Sequence, residues 1–141
     1  MRRTAPFAAL SASALLASCA PVVPPGPVSA AAAEARIGQT VRLDGRTVSP
    51  LSIVEDSRCP ASVQCIQAGT VRLRVRISEG GNEDIVAIGL AKPVALNRAW
   101  LHLVDVCPGR ATPDQIAEDA YLFTFALSAS EKPPSVKRRC S

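Results

Sequence analysis

The chain has 141 residues, 48% of them hydrophobic but only 4% aromatic, and a net charge of +4, a size that holds one domain and not two. Between Arg36 and Glu131 there are ten basic and eleven acidic residues, so the positive charge sits at the two ends; this argues against a nucleic-acid reader, which carries its basic patch on the folded body beside aromatic residues. Twelve prolines and eight glycines argue against a helical bundle and for short strands joined by turns.

The first predicted element is a targeting segment. Arg2 and Arg3 precede an apolar stretch from about Phe7 to Leu16, followed by small residues; this is the order of a secretory signal, and the stretch falls short of the roughly 20 residues that span a bilayer. Leu16-Ala17-Ser18-Cys19 resembles the lipobox of bacterial lipoproteins. The resemblance implies that residues 1–18 are removed and that Cys19 is acylated through its sulfur and often on its new amino group, anchoring the chain to a membrane. Ala20, where inner-membrane lipoproteins of diderm bacteria carry Asp, implies the periplasmic face of the outer membrane. Residues 19–35, with prolines at 21, 24, 25 and 27 and then an alanine run, read as a spacer. Polyproline II at about 3.1 Å per residue would let it hold the body up to about 50 Å from the lipid.

A β domain is expected over residues 36–130. Val71, Leu73, Val75 and Ile77 alternate with Arg72, Arg74 and Arg76, the pattern of a strand with one face in the core and one in water. The Ser78–Glu83 cluster reads as a longer loop, and Asp84–Leu90 as the returning strand of a hairpin. Further strands are expected at 40–43, 46–48, 52–55, 94–96, 100–106 and 121–127, punctuated by Pro50, Pro60, Pro93, Pro108 and Pro113. Residues 112–119 read as a short helix or an ordered loop. The fold class is therefore all-β: a small sandwich or barrel of about 6–8 short antiparallel strands, followed by a basic flexible tail over 131–141.

Glu55-Asp56-Ser57-Arg58-Cys59-Pro60, followed by Cys65-Ile66-Gln67-Ala68-Gly69 and a strand, is similar to an E-D-S-R-C-P…C-x-W-A-G signature of small β-rich bacterial secreted proteins and lipoproteins with no assigned activity. The strand over residues 103–107 that ends at Pro108 and the segment led by Tyr121 resemble the closing part of the same pattern. Gln67 stands where the signature has an aromatic residue, and Cys107 is not part of it. The resemblance implies a fold class and no reaction.

In an exported protein Cys59 and Cys65 can close a small loop between two strands. Cys107 and Cys140 then remain to pair; a Cys140–Cys140 bond between two molecules is the open alternative. The loop reads either as a staple at a corner of the domain or as a rigid recognition element, with Arg58 at its base as a candidate binding residue. Arg72, Arg74 and Arg76 stand about 6.6 Å apart along one face and suit an anionic lipid, a glycan phosphate or the carboxylates of an envelope protein. The alternative is an ordinary solvated strand face.

Catalysis is not expected. His102 is the one histidine and lies in a strand, no Gly-x-Ser-x-Gly elbow exists, and His102 with Cys107 and Cys140 lacks the close ligand pair of a metal site. The acidic turn of Glu79, Asn82, Glu83 and Asp84 fits no calcium loop. No cofactor or metal is called for. The sequence reading is a lipid-anchored envelope protein, a non-catalytic binding or structural module. The alternatives are an inhibitor acting through the Cys59–Cys65 loop and, further off, a small hydrolase or metal-dependent enzyme.

Overall fold

The computed structural model describes residues 32–140; the lipobox, Cys19 and the spacer up to residue 31 lie outside the described residues. Two four-stranded antiparallel sheets pack into a β-sandwich. One holds β2 (Val41–Leu43), β3 (Arg46–Asp56), β4 (Val71–Glu79) and β5 (Asn82–Gly89) in chain order. The other has β6 (Val94–Leu96), β7 (Ala99–Cys107) and β8 (Leu122–Ser128) side by side, with β1 (Ala32–Ala35) beyond β8. Each sheet is thus a meander, and only β1 pairs with a strand distant in sequence.

Alternation works as the sequence dictates. Val71, Leu73, Val75 and Ile77 of β4 are at most 4% exposed. They meet Leu101, Leu103, Val106, Phe123 and Phe125 from the other sheet in one apolar core, joined by Leu43, Val48 and Ile88. Phe123 and Phe125, two of the chain's three phenylalanines, are fully buried. Arg72, Arg74 and Arg76 face water on the opposite side of β4.

Three local expectations change, and one open alternative is decided. Pro50 does not divide two strands: β3 runs through it, because its pairing with β2 ends at Val48 and a bulge follows between Pro50 and Ser52, a place where a missing N–H costs no ladder bond. The β4–β5 connection is a two-residue turn at Gly80 and Gly81, with φ of 58° and 89°. Both residues are left-handed, as a tight type I′ hairpin requires, so pairing extends out to Glu79 and Asn82. Ala32–Ala35, read as spacer, instead forms β1 against Phe123–Ala126. Of the two readings of residues 112–119 the ordered loop is the one found, with a single 3-10 turn over Glu118–Ala120; Pro113 and the hydrogen bond from Thr112 Oγ1 to Asp114 Oδ2 hold the segment in that form.

β7 is buried on both sides from Leu101 to Val106. Its outward residues are met by the C-terminal segment. The Asp105 carboxylate accepts hydrogen bonds from the Arg139 and Cys140 N–H groups at 2.6 and 3.1 Å, Cys107 is bonded to Cys140, and Arg139 pairs with Glu34 of β1. The tail therefore has a polar tie as well as the covalent one that the sequence suggests.

Candidate recognition loop and its base

β3 and β4 are separated by Ser57–Thr70, and everything that positions this segment is at its base. Asp56, the last residue of β3, is the centre. Its Oδ1 accepts the Arg58 backbone N–H at 3.2 Å and Arg58 Nε at 3.0 Å, and its Oδ2 accepts Arg58 Nη2 at 2.8 Å and the Tyr121 hydroxyl at 2.7 Å. Arg58 continues across to the other sheet, where Nη1 donates to the Val106 and Pro108 carbonyls, both at 2.9 Å, and its guanidinium carbon stands 6.0 Å from the centre of the Tyr121 ring. Arg110 donates from Nη1 to the Asp56 carbonyl at 2.6 Å and from Nη2 to the Pro113 carbonyl at 3.0 Å.

The electrostatics follow from this geometry. Burial works to raise the pKa of Asp56, but the hydrogen bonds from Arg58 and Tyr121 and the Arg58 charge outweigh it and hold the carboxyl below its ordinary value. Burial likewise opposes the charge of Arg58, and its bond to Asp56 more than compensates. The Tyr121 hydroxyl is pushed up to about 12, by burial first and then by its bond to Asp56 and the charge of that carboxylate, with Arg58 acting against them. The cluster is a fixed, internally satisfied ion pair joining β3, the segment after β7 and the start of β8. Arg58 is therefore a structural residue here, not a group held out to a ligand: its side chain is 14% exposed, and it makes four side-chain hydrogen bonds within the fold.

Two further contacts fix the entrance and exit of the loop. Gly69 packs directly on the Ser57 backbone; a Cβ there would fall 1.5 Å from the Ser57 carbonyl oxygen. Ser57 N–H bonds the Thr70 carbonyl at 2.8 Å, and Thr70 N–H bonds Ser57 Oγ at 3.1 Å. On the other side, the Ala61 and Ser62 N–H groups bond the Arg110 and Ala111 carbonyls. Cys59 and Cys65 are joined, with Cα atoms 5.9 Å apart. The signature residues thus have physical roles: Asp56 and Arg58 form the ion pair, Ser57 and Gly69 the close approach, and Cys59 and Cys65 the staple.

What this base supports is an uncharged segment that is exposed from Ala61 to Ala68. Val63 is 47% exposed and Ile66 is entirely so. A β-branched side chain fully in water, between Gln64 and Gln67 on a cross-linked loop, contributes nothing to the core.

The other candidates are placed as follows. Arg72 lies 3.9 Å from Glu55 and Arg76 lies 3.6 Å from Glu83, while Arg74, between Ser52 and Ala87 in register, has no ion pair among the described residues. His102 is buried, with Nε2 2.8 Å from Ser128 Oγ and 3.3 Å from the Ser130 carbonyl; Ser128 Oγ also donates to that carbonyl, so the pair ties strand to tail. Asp105, Cys107 and Cys140 come together, but both sulfurs are spent on the disulfide and no thiolate is left to hold a metal. Arg46 was not singled out by the sequence. It is the first residue of β3 and only 9% exposed, and its Nη2 reaches Glu79 and the Asn97 carbonyl, each at 2.6 Å. The Asp44-Gly45 turn just before it was the one signal that a strand, and so a fixed direction for this side chain, begins there. Compared with protein-family models, curated proteins and solved structures, the chain finds no match.

Proposed function

We propose that this chain is an exported, lipid-anchored binding module that acts without catalysis and presents the Cys59–Cys65 loop to a protein partner in the cell envelope. The observation that carries this reading is the complete exposure of Ile66 on a loop whose base is fixed by a disulfide, an ion pair and a glycine contact. Pre-ordering lowers the entropy lost on binding, and an exposed aliphatic side chain on a rigid support can fill a partner's pocket as an anchor. No charge lies between Arg58 and Arg72, so the loop suits a protein surface better than an anionic lipid. If the partner is an enzyme, the same wedge is an inhibitor's. Export and anchoring rest on the lipobox-like Leu16–Cys19 segment, and the two disulfides support an oxidising compartment.

The test is a pull-down from detergent-solubilised envelopes with the wild type and Ile66→Asp. Ile66→Asp changes a side chain that touches no core, so its melting temperature should match the wild type while the stoichiometric partner is lost. The same proteins retained by both, or by neither, would sink the loop as the binding element. For the anchor, Cys19→Ser should leave unprocessed precursor or a soluble form, and an unchanged membrane-bound mature protein refutes it.

A further inference from the structure

The outer edge of β5 carries a second inference, independent of the loop. Edge strands leave a row of unpaired backbone groups, and proteins commonly keep such strands short. Three of the four sheet edges obey this, since β1, β2 and β6 have four, three and three residues. β5 has eight and pairs with β4 without a bulge.

The parity of the ladder shows which groups point outward. Leu90 N–H bonds the Val71 carbonyl, so counting back along the antiparallel pair, Ile88, Val86, Asp84 and Asn82 exchange their hydrogen bonds with β4. Gly89, Ala87, Ile85 and Glu83 turn theirs away. Gly89 confirms the count: its N–H and carbonyl are taken from the outside by Lys92, at 3.4 and 3.1 Å. The backbone groups of Glu83, Ile85 and Ala87 have no hydrogen bond of this kind among the described residues. They form an open window about 17 Å long, at about 3.4 Å per residue, closed at one end by the Gly80-Gly81 turn and at the other by Lys92.

The two sides of this window differ. Outward, its neighbours on β4 are Arg76, Arg74 and Arg72, opposite Ile85, Ala87 and Gly89. Two of these three β5 positions are nearly bare, so the long arginines can reach over them toward the edge; the Arg72 Cγ already stands 3.2 Å from where a Gly89 Cβ would be. Ile85 is half exposed. Inward, between β5 and β6, runs a groove of about 450 Å³ with an apolar wall of Val86, Val94 and Leu96 and with Glu79 and Asp84 toward the turn, so a carboxylate is disfavoured on this side. A strand laid on this edge would alternate between an arginine-rich face, which takes carboxylates, and a groove of Val86, Val94 and Leu96 beside Glu79 and Asp84, which takes uncharged side chains.

We propose that the β5 edge binds an extended acidic segment of another protein by strand addition, its backbone pairing with Glu83, Ile85 and Ala87, its carboxylates over Arg72 and Arg74, and its intervening apolar side chains in the groove. Main-chain pairing supplies affinity and the alternation supplies selectivity, as in other strand-addition complexes. The arginine row selects an acidic occupant; a second copy of this chain, whose β5 carries Glu83 and Asp84, is the competing occupant that the protein-concentration arm of the test excludes.

The probe is an acetylated, amidated heptapeptide alternating glutamate and valine, added to the full mature chain, with a lysine–valine peptide as control. The glutamate peptide should bind at least tenfold tighter, and amide exchange at Glu83, Ile85 and Ala87 should slow at least tenfold. Arg72→Glu/Arg74→Glu should reverse the preference. Ala87→Pro removes an outward N–H and no ladder bond, and should cost binding tenfold. A glutamate peptide N-methylated at alternate residues tests the same pairing on the wild type and should not bind. Equal affinity for both peptides, or binding without protection of the three amides, overturns the proposal. So does protection that rises with protein concentration in the absence of peptide, which would put a second copy on the edge.

Discussion

The base of the Cys59–Cys65 loop and the outer edge of β5 are both polar, and they treat their polar groups in opposite ways. At the base, Asp56, Arg58, Arg110 and Tyr121 bond to one another and to main-chain carbonyls, and Arg58 and Asp56 are 14% and 9% exposed. At the edge, three residues of backbone are open, the arginines beside them are nearly half exposed, and the ion pairs are long. Buried charge bonded within the fold is costly to break from one side, and its bonding capacity is spent inside the molecule, although Arg110 Nε is left without a partner among the described residues. Open main chain beside loosely paired charge leaves bonding capacity for something else. Of the binding candidates the sequence offers, Arg58 belongs to the first kind. Arg72, Arg74 and Arg76 belong to the second.

The sharpest way to break the comparison is to remove the centre of the base. Asp56→Ala leaves a buried guanidinium without its carboxylate, and breaking a buried pair on one side costs about 3–5 kcal/mol. Thermal unfolding should show a midpoint lower by more than about 10 °C. A loss under about 1 kcal/mol would mean that the cluster is not an integral part of the fold.

Alkaline titration probes the same cluster from the tyrosine side. Below the ordinary value of 10.0 the hydroxyl is protonated folded or unfolded, and the contribution of its raised pKa is fully present. Between there and about 12 the folded chain keeps a proton that the unfolded chain loses, so stability falls as pH rises through that window. A difference of this size corresponds to about 2–3 kcal/mol. Tyr121→Phe should remove the slope, and chemical denaturation at pH 9 and pH 11 reads it. Asp56 works in the opposite sense: its lowered pKa gives stability above the carboxylate range that is lost as pH falls through the folded value.

Replacing Cys59 and Cys65 by serine should cost about 2 kcal/mol, the loop-closure value for so short a ring, and leave the circular dichroism unchanged, since the ion pair and the Ser57–Gly69 contact remain. Equal midpoints under oxidising and reducing conditions would show that the disulfide adds nothing to them.

Much of this was legible in the sequence, and the part that was not has a common cause. β4 declares itself because its alternation is unbroken, and a buried face cannot shift register by one residue without placing arginines in the core. The Cys59–Cys65 bond follows from spacing. Pro50 misleads because a proline's tolerance depends on which neighbour pairs with it, and that is settled by where β2 stops. Ala32–Ala35 reads as spacer because alanine carries no period; its strand exists only because β8 offers an edge. Arg58 can be read as bonding a nearby carboxylate, and Asp56 is only two positions away, but Arg46 gives no such signal, and the remote partners of the two, Val106, Pro108, Tyr121, Glu79 and Asn97, lie 33 to 63 positions away in the chain. The open groups of β5 have no sequence signature at all, since they are main chain.

The smallest expected effect is at the arginine row, and it separates the two regions most cleanly. Arg72 and Arg76 each stand more than 3.5 Å from a carboxylate and are nearly half exposed, conditions in which an ion pair contributes about 0–1 kcal/mol. Arg74 has no such partner among the described residues. It does have two like charges on the same face, at about 6.6 Å, so removing all three side chains gives up two weak attractions and relieves two repulsions. The triple alanine variant should unfold within about 0.5 kcal/mol of the wild type, as is usual for surface substitutions, with an unchanged denaturant slope. Against the several kcal/mol of Asp56→Ala, that near-silence would identify charge the fold does not need. A loss above about 2 kcal/mol would instead place the row with the Asp56 cluster, as structure and not as surface.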